Sequence, residues 1–324
     1  MLQHTIKKDV SFAGVGLHSG KPVKMVLKPA SVNSGIRFKR VDLGQDAFVP
    51  ASMRRVSDTS LATTLSKNNV FVGTTEHLLA ALYGLGIDNI LVEVNSDELP
   101  IMDGSAAHFV QVLKKYRKEQ RAKRLLMKIT KEMTFRAGHT EISVKPYDGL
   151  RVTSKVEFDH PVIKSQSYTV NVERDSFAKE IASARTFGFL EQVEYLRANG
   201  KALGGSLENA VVIDKDGVVN AEGLRFADEF ARHKILDLVG DLALLGCPLL
   251  GHVTAARGGH TQHVAFMRML AENPDSWELV KRSEDGRESV MDKMRMATKA
   301  AGQMVLPFLL PPVTGMGTTP KAIC

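Results

Sequence analysis

The chain has 324 residues, which suits two domains of roughly 100–200 residues each. Hydrophobic residues make up 44% and charged residues 24% of the sequence, as in ordinary soluble globular proteins. Only two cysteines are present, which excludes a disulfide framework and a cysteine-rich zinc site, and the net charge of +7 favours anionic partners without identifying one.

The N-terminal segment contains no continuous apolar run, so we expect no signal peptide. No later apolar run reaches the roughly 20 residues that span a bilayer. We therefore expect a cytoplasmic protein whose contact with a membrane is at most peripheral.

The first 110 residues mix short strands with helices. The segment TTEHLLAALYGLG, residues 74–86, predicts a helix that begins at Thr74 or Thr75 and ends at its glycines. A second helix is predicted for residues 106–120. Strand-like alternation marks three segments: residues 21–29, 36–43 and 89–94.

Residues 114–124, KKYRKEQRAKR, hold seven basic residues and one acid. Charge blocks of this kind are usually solvated. We interpret the segment as the end of the second helix running into an interdomain linker, with a patch that binds anions or a membrane surface as the alternative.

The second half again begins with strands and continues with helices. Strands are predicted at residues 126–135, 139–146, 150–158 and 167–172. Helices are predicted at residues 175–184, 189–200, 229–246 and 262–273. Residues 249–260, LLGHVTAARGGH, predict a strand that enters a glycine-rich turn.

Because both halves run from strands to helices, the sequence predicts an α+β protein of two domains with similar topology. The boundaries that we predict are residues 1–125 and 126–285. Residues 286–324 are rich in Pro, Gly and Thr towards their end and are predicted to be an irregular or partly disordered tail.

The helix EFARHKILDLVGDLALLG places His233, Asp237 and Asp241 four residues apart on one side. Such a stripe is typical of the solvated face of an amphipathic helix. Phe230 and Leu244 fall on the same side, however, which favours the wall of a partly buried pocket. Residues four apart lie about 5–6 Å between Cβ atoms, so one imidazole and one carboxylate there could share a metal ion.

A catalytic zinc site needs a third protein ligand and an open position for water. His77 is the most suggestive candidate, because it opens a predicted helix and follows Glu76, an acid that could act as a general base. The simpler interpretation is an acid that stabilises a helix N-terminus. Asp241 is better placed to support a neighbouring group than to bind the same ion.

Two more residues could take part in chemistry. His260 follows two glycines in a predicted loop, where it could donate a proton, and Thr186 stands between two predicted helices with a hydroxyl that could bond an oxyanion. An ordinary exposed histidine and an ordinary turn threonine are the alternatives.

Seven segments follow one another across roughly residues 4–280: GVGLHSG, TTEHLLAALYGLGIDN, LPIMDGSAAHFV, SARTFGF, GGSLENAVV, GLRFADEFARHKILDLVGDLALLG and GGH. Together and in this order they resemble the zinc-dependent UDP-3-O-acyl-N-acetylglucosamine deacetylases of lipid A biosynthesis. The resemblance implies two α+β domains, each a small mainly antiparallel sheet layered with two helices, with the active site between them.

The resemblance also implies an activity: hydrolysis of the N-acetyl group of UDP-3-O-(3-hydroxyacyl)-N-acetylglucosamine, in the cytoplasm of a Gram-negative-type bacterium. It implies one catalytic Zn²⁺ ion with three ligands: His77, His233 and Asp237. Glu76 would be the general base. His260 would be the general acid, oriented by Asp241, while Thr186 and Lys234 would stabilise the oxyanion.

For the substrate, the resemblance implies an apolar passage that holds the acyl chain, and we assign five residues to it: Phe187, Leu190, Val193, Leu207 and Val212. Phe158 would stack on uracil. Arg257 stands where the family has a lysine, so the positive charge for the diphosphate is kept. We expect a UDP-linked acylated amino sugar as partner, no nucleic acid, and a monomer.

Two other functions fit the residues without the resemblance. A zinc amidase or peptidase could act on another amide, although the sequence lacks the H-E-x-x-H motif. A basic nucleic-acid-binding protein with structural His and Asp residues would contain no stoichiometric zinc and would bind RNA in a salt-dependent manner.

Overall fold

The computed structural model describes residues 1–161, 163–282 and 288–290. Within them the chain folds into a mixed α+β structure with several sheets, which confirms the predicted fold class at that level. Six helices lie within these residues: Glu76–Leu85 (α1), Ala107–Tyr116 (α2), Arg174–Ser176 (α3), Leu190–Ala198 (α4), Glu229–Leu242 (α5) and His260–Glu272 (α6).

The first half of the chain contributes a five-stranded sheet. Its strands lie side by side in the order Val10–Val15, Pro22–Pro29, Ile90–Val94, Ile36–Arg40 and Phe48–Pro50. Adjacent strands are antiparallel, except that Ile36–Arg40 and Ile90–Val94 run parallel to each other. A small antiparallel sheet precedes α1 and contains three strands: Val56–Asp58, Thr64–Lys67 and Val70–Val72.

The second half contributes an eight-stranded sheet centred on Leu249–Ala256. This strand runs antiparallel to Thr140–Lys145 and parallel to both Leu150–Glu157 and Leu126–Ile129. The remaining strands of this sheet are Met133–Ala137, Ser165–Asn171, Trp277–Arg282 and Glu288–Val290. A separate parallel pair, Phe187–Phe189 with Val211–Ile213, was not predicted.

The basic segment 114–124 is not a linker. Helix α2 ends at Tyr116, and Arg117–Lys123 forms a strand that pairs antiparallel with Leu2–Ile6. An extended segment can keep its charged side chains in solvent while its backbone groups pair with a neighbouring strand. Gln120 lies among these charges and donates a hydrogen bond to the backbone of Ala30, which ties the strand to the first half.

The predicted tail is only partly described. Glu288–Val290 forms an edge strand on Trp277–Arg282, whereas residues 283–287 and 291–324 lie outside the described residues. Every helix in the described part of the chain is too short or too polar to span a bilayer.

One hydrophobic core joins both halves of the chain and includes Phe38, Leu79, Leu236 and Trp277. Its centre is the contact of α1 with α5. At Gly240 in α5 the two helices approach so closely that an added Cβ would lie 2.2 Å from the carbonyl oxygen of Glu76. This approach brings the first turn of α1 against the polar stripe of α5.

Candidate active site

The polar stripe of α5 is buried. His233, Asp237 and Asp241 are 2%, 3% and 0% exposed, and Phe230 and Leu244 are fully buried beside them. The interpretation of a pocket wall is therefore confirmed, and that of an ordinary solvated face is wrong. Because buried polar groups must find partners, each of the three needs a specific neighbour.

Three of the predicted residues converge at the contact of α1 with α5. The ligand atoms of His77, His233 and Asp237 all lie within 4.8 Å of one another. Asp237 Oδ1 lies 3.2 Å from His233 Nε2 and 3.8 Å from His77 Nε2. The two imidazole rings stand nearly perpendicular, with centroids 5.1 Å apart.

The hydrogen bonds and charges of this group fit a zinc ion. His233 Nδ1 lies 3.1 Å from the Ala184 carbonyl, which accepts its proton and leaves Nε2 free to bind a metal. Among the described residues, Nδ1 of the His77 side chain is buried without a hydrogen-bond partner. Two imidazoles and one carboxylate form a common ligand set of catalytic zinc sites.

The pKa values also favour metal binding. Burial, helped by the neighbouring His233, lowers the pKa of His77 to about 3, so this imidazole is neutral. Burial opposes ionisation of Asp237, but His233 and Lys234 outweigh it and hold the pKa of Asp237 well below its ordinary value. Neutral histidine and ionised aspartate are the forms that bind zinc.

Glu76 is the first residue of α1 and lies beside this group. Its Oε2 accepts a hydrogen bond of 3.0 Å from the backbone N–H of Thr63, and its Oε1 lies 3.9 Å from Nε2 of His260. Burial is the main reason that the pKa of Glu76 rises to about 7. A carboxylate with a pKa near neutrality suits proton transfer.

His260 was predicted in a loop, and that is wrong, since it is the first residue of α6. The preceding Gly259 is extended, with φ −146° and ψ 177°, and lets the chain turn directly into the helix. His260 Nδ1 lies 2.7 Å from Oδ2 of Asp241. Burial alone would lower the pKa of His260, but the charge and hydrogen bond of Asp241 raise it to about 10.

Two residues of the site were not predicted. Thr63 donates its hydroxyl proton to Oδ1 of Asp241 over 2.6 Å, and nothing in the surrounding sequence signals this role. His263 Nδ1 lies 2.8 Å from Oδ2 of Asp241. The position of His263, three residues after His260 in the same helix, was a readable signal.

Asp241, His260 and His263 also hold their ligand atoms within 4.8 Å. Their geometry differs from that of the first group, because both rings lie at hydrogen-bond distance from the same oxygen. A carboxylate only accepts hydrogen bonds, so both Nδ1 atoms carry protons and are not free to bind a metal.

The three candidate zinc ligands line a cavity of about 310 Å³. Thr186 and Lys234 line it together with Glu76 and His260. Lys234 Nζ donates to Oδ2 of Asp237 over 2.9 Å and lies 5.6 Å from the centre of the Phe187 ring. A metal ion, a carboxylate and a cation can thus reach one bound group.

The first turn of α5 fixes the segment that carries Thr186. Glu229, fully buried in the first turn, accepts hydrogen bonds from the backbone and the guanidinium of Arg185. Thr186 itself donates its backbone N–H to Gly104. A Cβ at Gly104 would lie 2.0 Å from the carbonyl oxygen of Asn209, so this close approach requires glycine.

The residues predicted to contact substrate are distributed over a wider surface. Phe187 lines the cavity and packs edge-on against Phe230 at 4.7 Å between centroids. Phe158 packs against Phe187 at 5.8 Å, outside the cavity lining. Arg257 is also outside this lining, has φ +53° and pairs with Glu157.

Three of the other passage residues lie at the short strand Phe187–Phe189: Val212 pairs with Gly188, and Leu190 and Val193 belong to α4, which follows the strand. Leu190 and Leu207 are exposed by 39% and 44%, whereas Val212 is buried. Val193 is half-buried on α4 and faces Gly188, where an added Cβ would lie 3.5 Å from its Cγ2 atom. Leu190 and Val193 therefore place apolar side chains beside the strand that carries Phe187.

Known proteins resemble the chain over most of its length. The profile of the LpxC family, described as UDP-3-O-acyl N-acetylglycosamine deacetylase, matches residues 3–272. The UDP-3-O-acyl-N-acetylglucosamine deacetylase of Teredinibacter turnerae is 45% identical over 286 residues, or 87% of this chain and 94% of the relative. That of Pseudomonas entomophila is 46% identical over 281 residues, with 86% and 93% covered. The matched residues include both helices that carry the candidate zinc ligands.

Proposed function

The chain belongs to the UDP-3-O-acyl-N-acetylglycosamine deacetylase family, and from that premise we propose how its own residues remove the acetyl group. As a member of this family it is a hydrolase of lipid A biosynthesis that acts on UDP-3-O-acyl-N-acetylglucosamine. Membership of this family excludes the two alternative functions, a zinc amidase or peptidase that acts on another amide and a basic nucleic-acid-binding protein.

The observation that carries the mechanism is the convergence of three buried zinc-type ligands between an acid and a base. We assign the zinc ion to His77, His233 and Asp237, because their ligand atoms converge and the contact of His233 Nδ1 with the Ala184 carbonyl leaves Nε2 of His233 free. A zinc ion bound there supplies a Lewis acid and lowers the pKa of a water molecule.

Glu76 and His260 divide the proton transfers. Glu76 is anchored by Thr63 through Oε2, which leaves Oε1 to accept a proton from the attacking water. His260 holds a proton on Nε2 because Asp241 accepts the hydrogen bond from Nδ1, and it donates that proton to the departing amine. General acid and base catalysis each contribute about 10²–10⁴-fold.

The oxyanion is stabilised by Thr186 and Lys234, which line the same cavity. Lys234 already holds Asp237, so its charge is positioned before substrate arrives. The acyl chain follows the apolar surface at Phe187, Leu190, Val193, Leu207 and Val212. Arg257 and Phe158 lie outside the cavity lining and are assigned to the diphosphate and the uracil.

The halves of the chain are assigned as two domains, residues 1–125 and 126–285, with the site between them. The ligands support this division, because His77 comes from the first half and His233 and Asp237 from the second. We further assign the protein to the cytoplasm, as a monomer with at most peripheral membrane contact.

Deacetylation of UDP-3-O-acyl-N-acetylglucosamine tests the proposal. Acetate release should be lost after treatment with a chelator and should return with zinc at about one ion per chain. Activity that persists in a chelated, metal-free protein would contradict the assignment of the zinc site. Substrates with different acyl chains would define the length that the passage accepts.

A further inference from the structure

Asp241 Oδ2 is shared by two histidines, only one of which reaches the cavity. His260 Nδ1 and His263 Nδ1 lie 2.7 and 2.8 Å from this single oxygen. The other oxygen, Oδ1, accepts the hydroxyl proton of Thr63. Asp241 is fully buried, so these three donors replace the water that would otherwise solvate its charge.

His263 acts at a distance from the substrate. Its side chain is buried in α6 and is absent from the residues that line the described cavity. Burial lowers the pKa of His263, whereas Asp241 and nearby Glu76 and Asp237 overcome the same effect at His260 and raise its pKa. One carboxylate thus holds one charged and one neutral imidazole.

When one carboxylate oxygen accepts hydrogen bonds from two N–H groups, it interacts less strongly with each of them than it would with one alone. The hydrogen bond from His263 therefore weakens the hold of Asp241 on the proton of His260. A general acid works best when its pKa lies near the working pH, and the Asp241 carboxylate alone would hold that proton too tightly.

We propose that His263 is a positioning residue that fixes Asp241 and sets how readily His260 gives up its proton. This inference rests on the proposed role of His260 as the acid. The charged or titratable groups near His260 include Glu76 and His77 from α1, Asp237 and Asp241 from α5, and His263 from α6, with the Thr63 hydroxyl beside them.

Three substitutions of His263 separate hydrogen bonding from packing. In His263→Asn the amide Nδ2 is attached to Cγ, as Nδ1 is in histidine, so the donor to Asp241 is kept. His263→Leu fills similar space without a donor. His263→Gln moves the donor one carbon further and keeps a polar side chain should the leucine variant fold poorly. Arg268→Ala, exposed on the same helix, is the control.

The readout is the titration of His260, followed by NMR in zinc-loaded protein with ¹⁵N-labelled histidine. The His260 signal is identified as the one that disappears in the His260→Gln variant. We expect the midpoint to rise by about one pH unit in the leucine and glutamine variants, because a hydrogen bond to an ionised group has that order of strength. It should stay close to wild type in the asparagine and control variants. The alkaline limb of kcat/KM should move in the same direction.

An unchanged midpoint in the leucine and glutamine variants, or an equal shift in the asparagine variant, would overturn the role of His263. The titration is measured without substrate, so it is independent of the proposed function. A shifted midpoint in a protein that never releases acetate would support the hydrogen-bond network and contradict the deacetylase mechanism instead.

Discussion

The substitution Gly240→Ala tests whether the contact of α1 with α5 sets the geometry of the zinc ligands. An added Cβ would lie 2.2 Å from the carbonyl oxygen of Glu76, and ordinary contact begins at about 3.4 Å. The helices must therefore separate by about 1 Å at this point. His77 follows Glu76 directly, so the separation moves His77 away from His233 and Asp237.

The expected losses can be estimated from this displacement. Overpacking costs about 1–3 kcal/mol of the free energy of unfolding, partly offset by about 1 kcal/mol of helix propensity when alanine replaces glycine. Misplacing catalytic groups by about 1 Å can cost about 10²-fold in turnover. We expect Gly240→Ala to show a modest loss of stability, a large loss of kcat/KM and weaker zinc binding.

Gly84→Ala is a matched control at the other end of α1. There a Cβ would lie 2.3 Å from the ring of Phe177, a comparable clash that involves neither Glu76 nor a ligand. Thermal unfolding, zinc titration and acetate release would be measured on both variants. The reasoning is refuted if Gly240→Ala keeps the kcat/KM of wild type, or if Gly84→Ala loses turnover to the same extent.

The acid and the buried ion pair give two more predictions. Asp241→Asn removes the charge that raises the pKa of His260 to about 10, so the pKa of His260 should fall. The alkaline limb of the kcat/KM profile should then move to lower pH. An alkaline limb that stays in place or moves to higher pH would argue against Asp241 as the partner of the acid. Glu229→Gln breaks a buried pair with Arg185 and should lower the free energy of unfolding by about 3–5 kcal/mol in urea titrations. Glu141→Gln, which breaks the exposed pair with Arg136, should cost at most about 1 kcal/mol, and equal losses in the two variants would contradict the role of burial.

Helix α5 shows what its sequence could predict and what it could not. The four-residue spacing of His233 and Asp237, with Phe230 and Leu244 on the same side, indicated an enclosed stripe, and both polar residues are buried. Periodicity does not say which distant segment covers a stripe. His77, the proposed third ligand, is 156 positions earlier in the chain; its place after Glu76 at the start of a predicted helix made it a candidate, and the family motifs assigned it to the metal.

The residues and elements that the sequence did not predict correctly have local physical explanations. Thr63 takes part through one hydroxyl and one backbone N–H, groups that many loop threonines carry without any such role. His260 was placed in a loop because two glycines precede it and break the helical pattern, yet the second of them, Gly259, is the N-cap of α6. The basic residues 117–123 carry no apolar alternation, so their pairing with the N-terminal strand left no signal in their side chains.

The most direct test of the central claim is zinc content and acetate release measured on one preparation of Glu76→Gln, beside His233→Ala. If Glu76 is the base and His233 a ligand, Glu76→Gln should retain about one zinc ion per chain and lose at least about 10²-fold in turnover, while His233→Ala should lose the metal. A Glu76→Gln protein that is zinc-free, or one that turns over like wild type, would contradict the account.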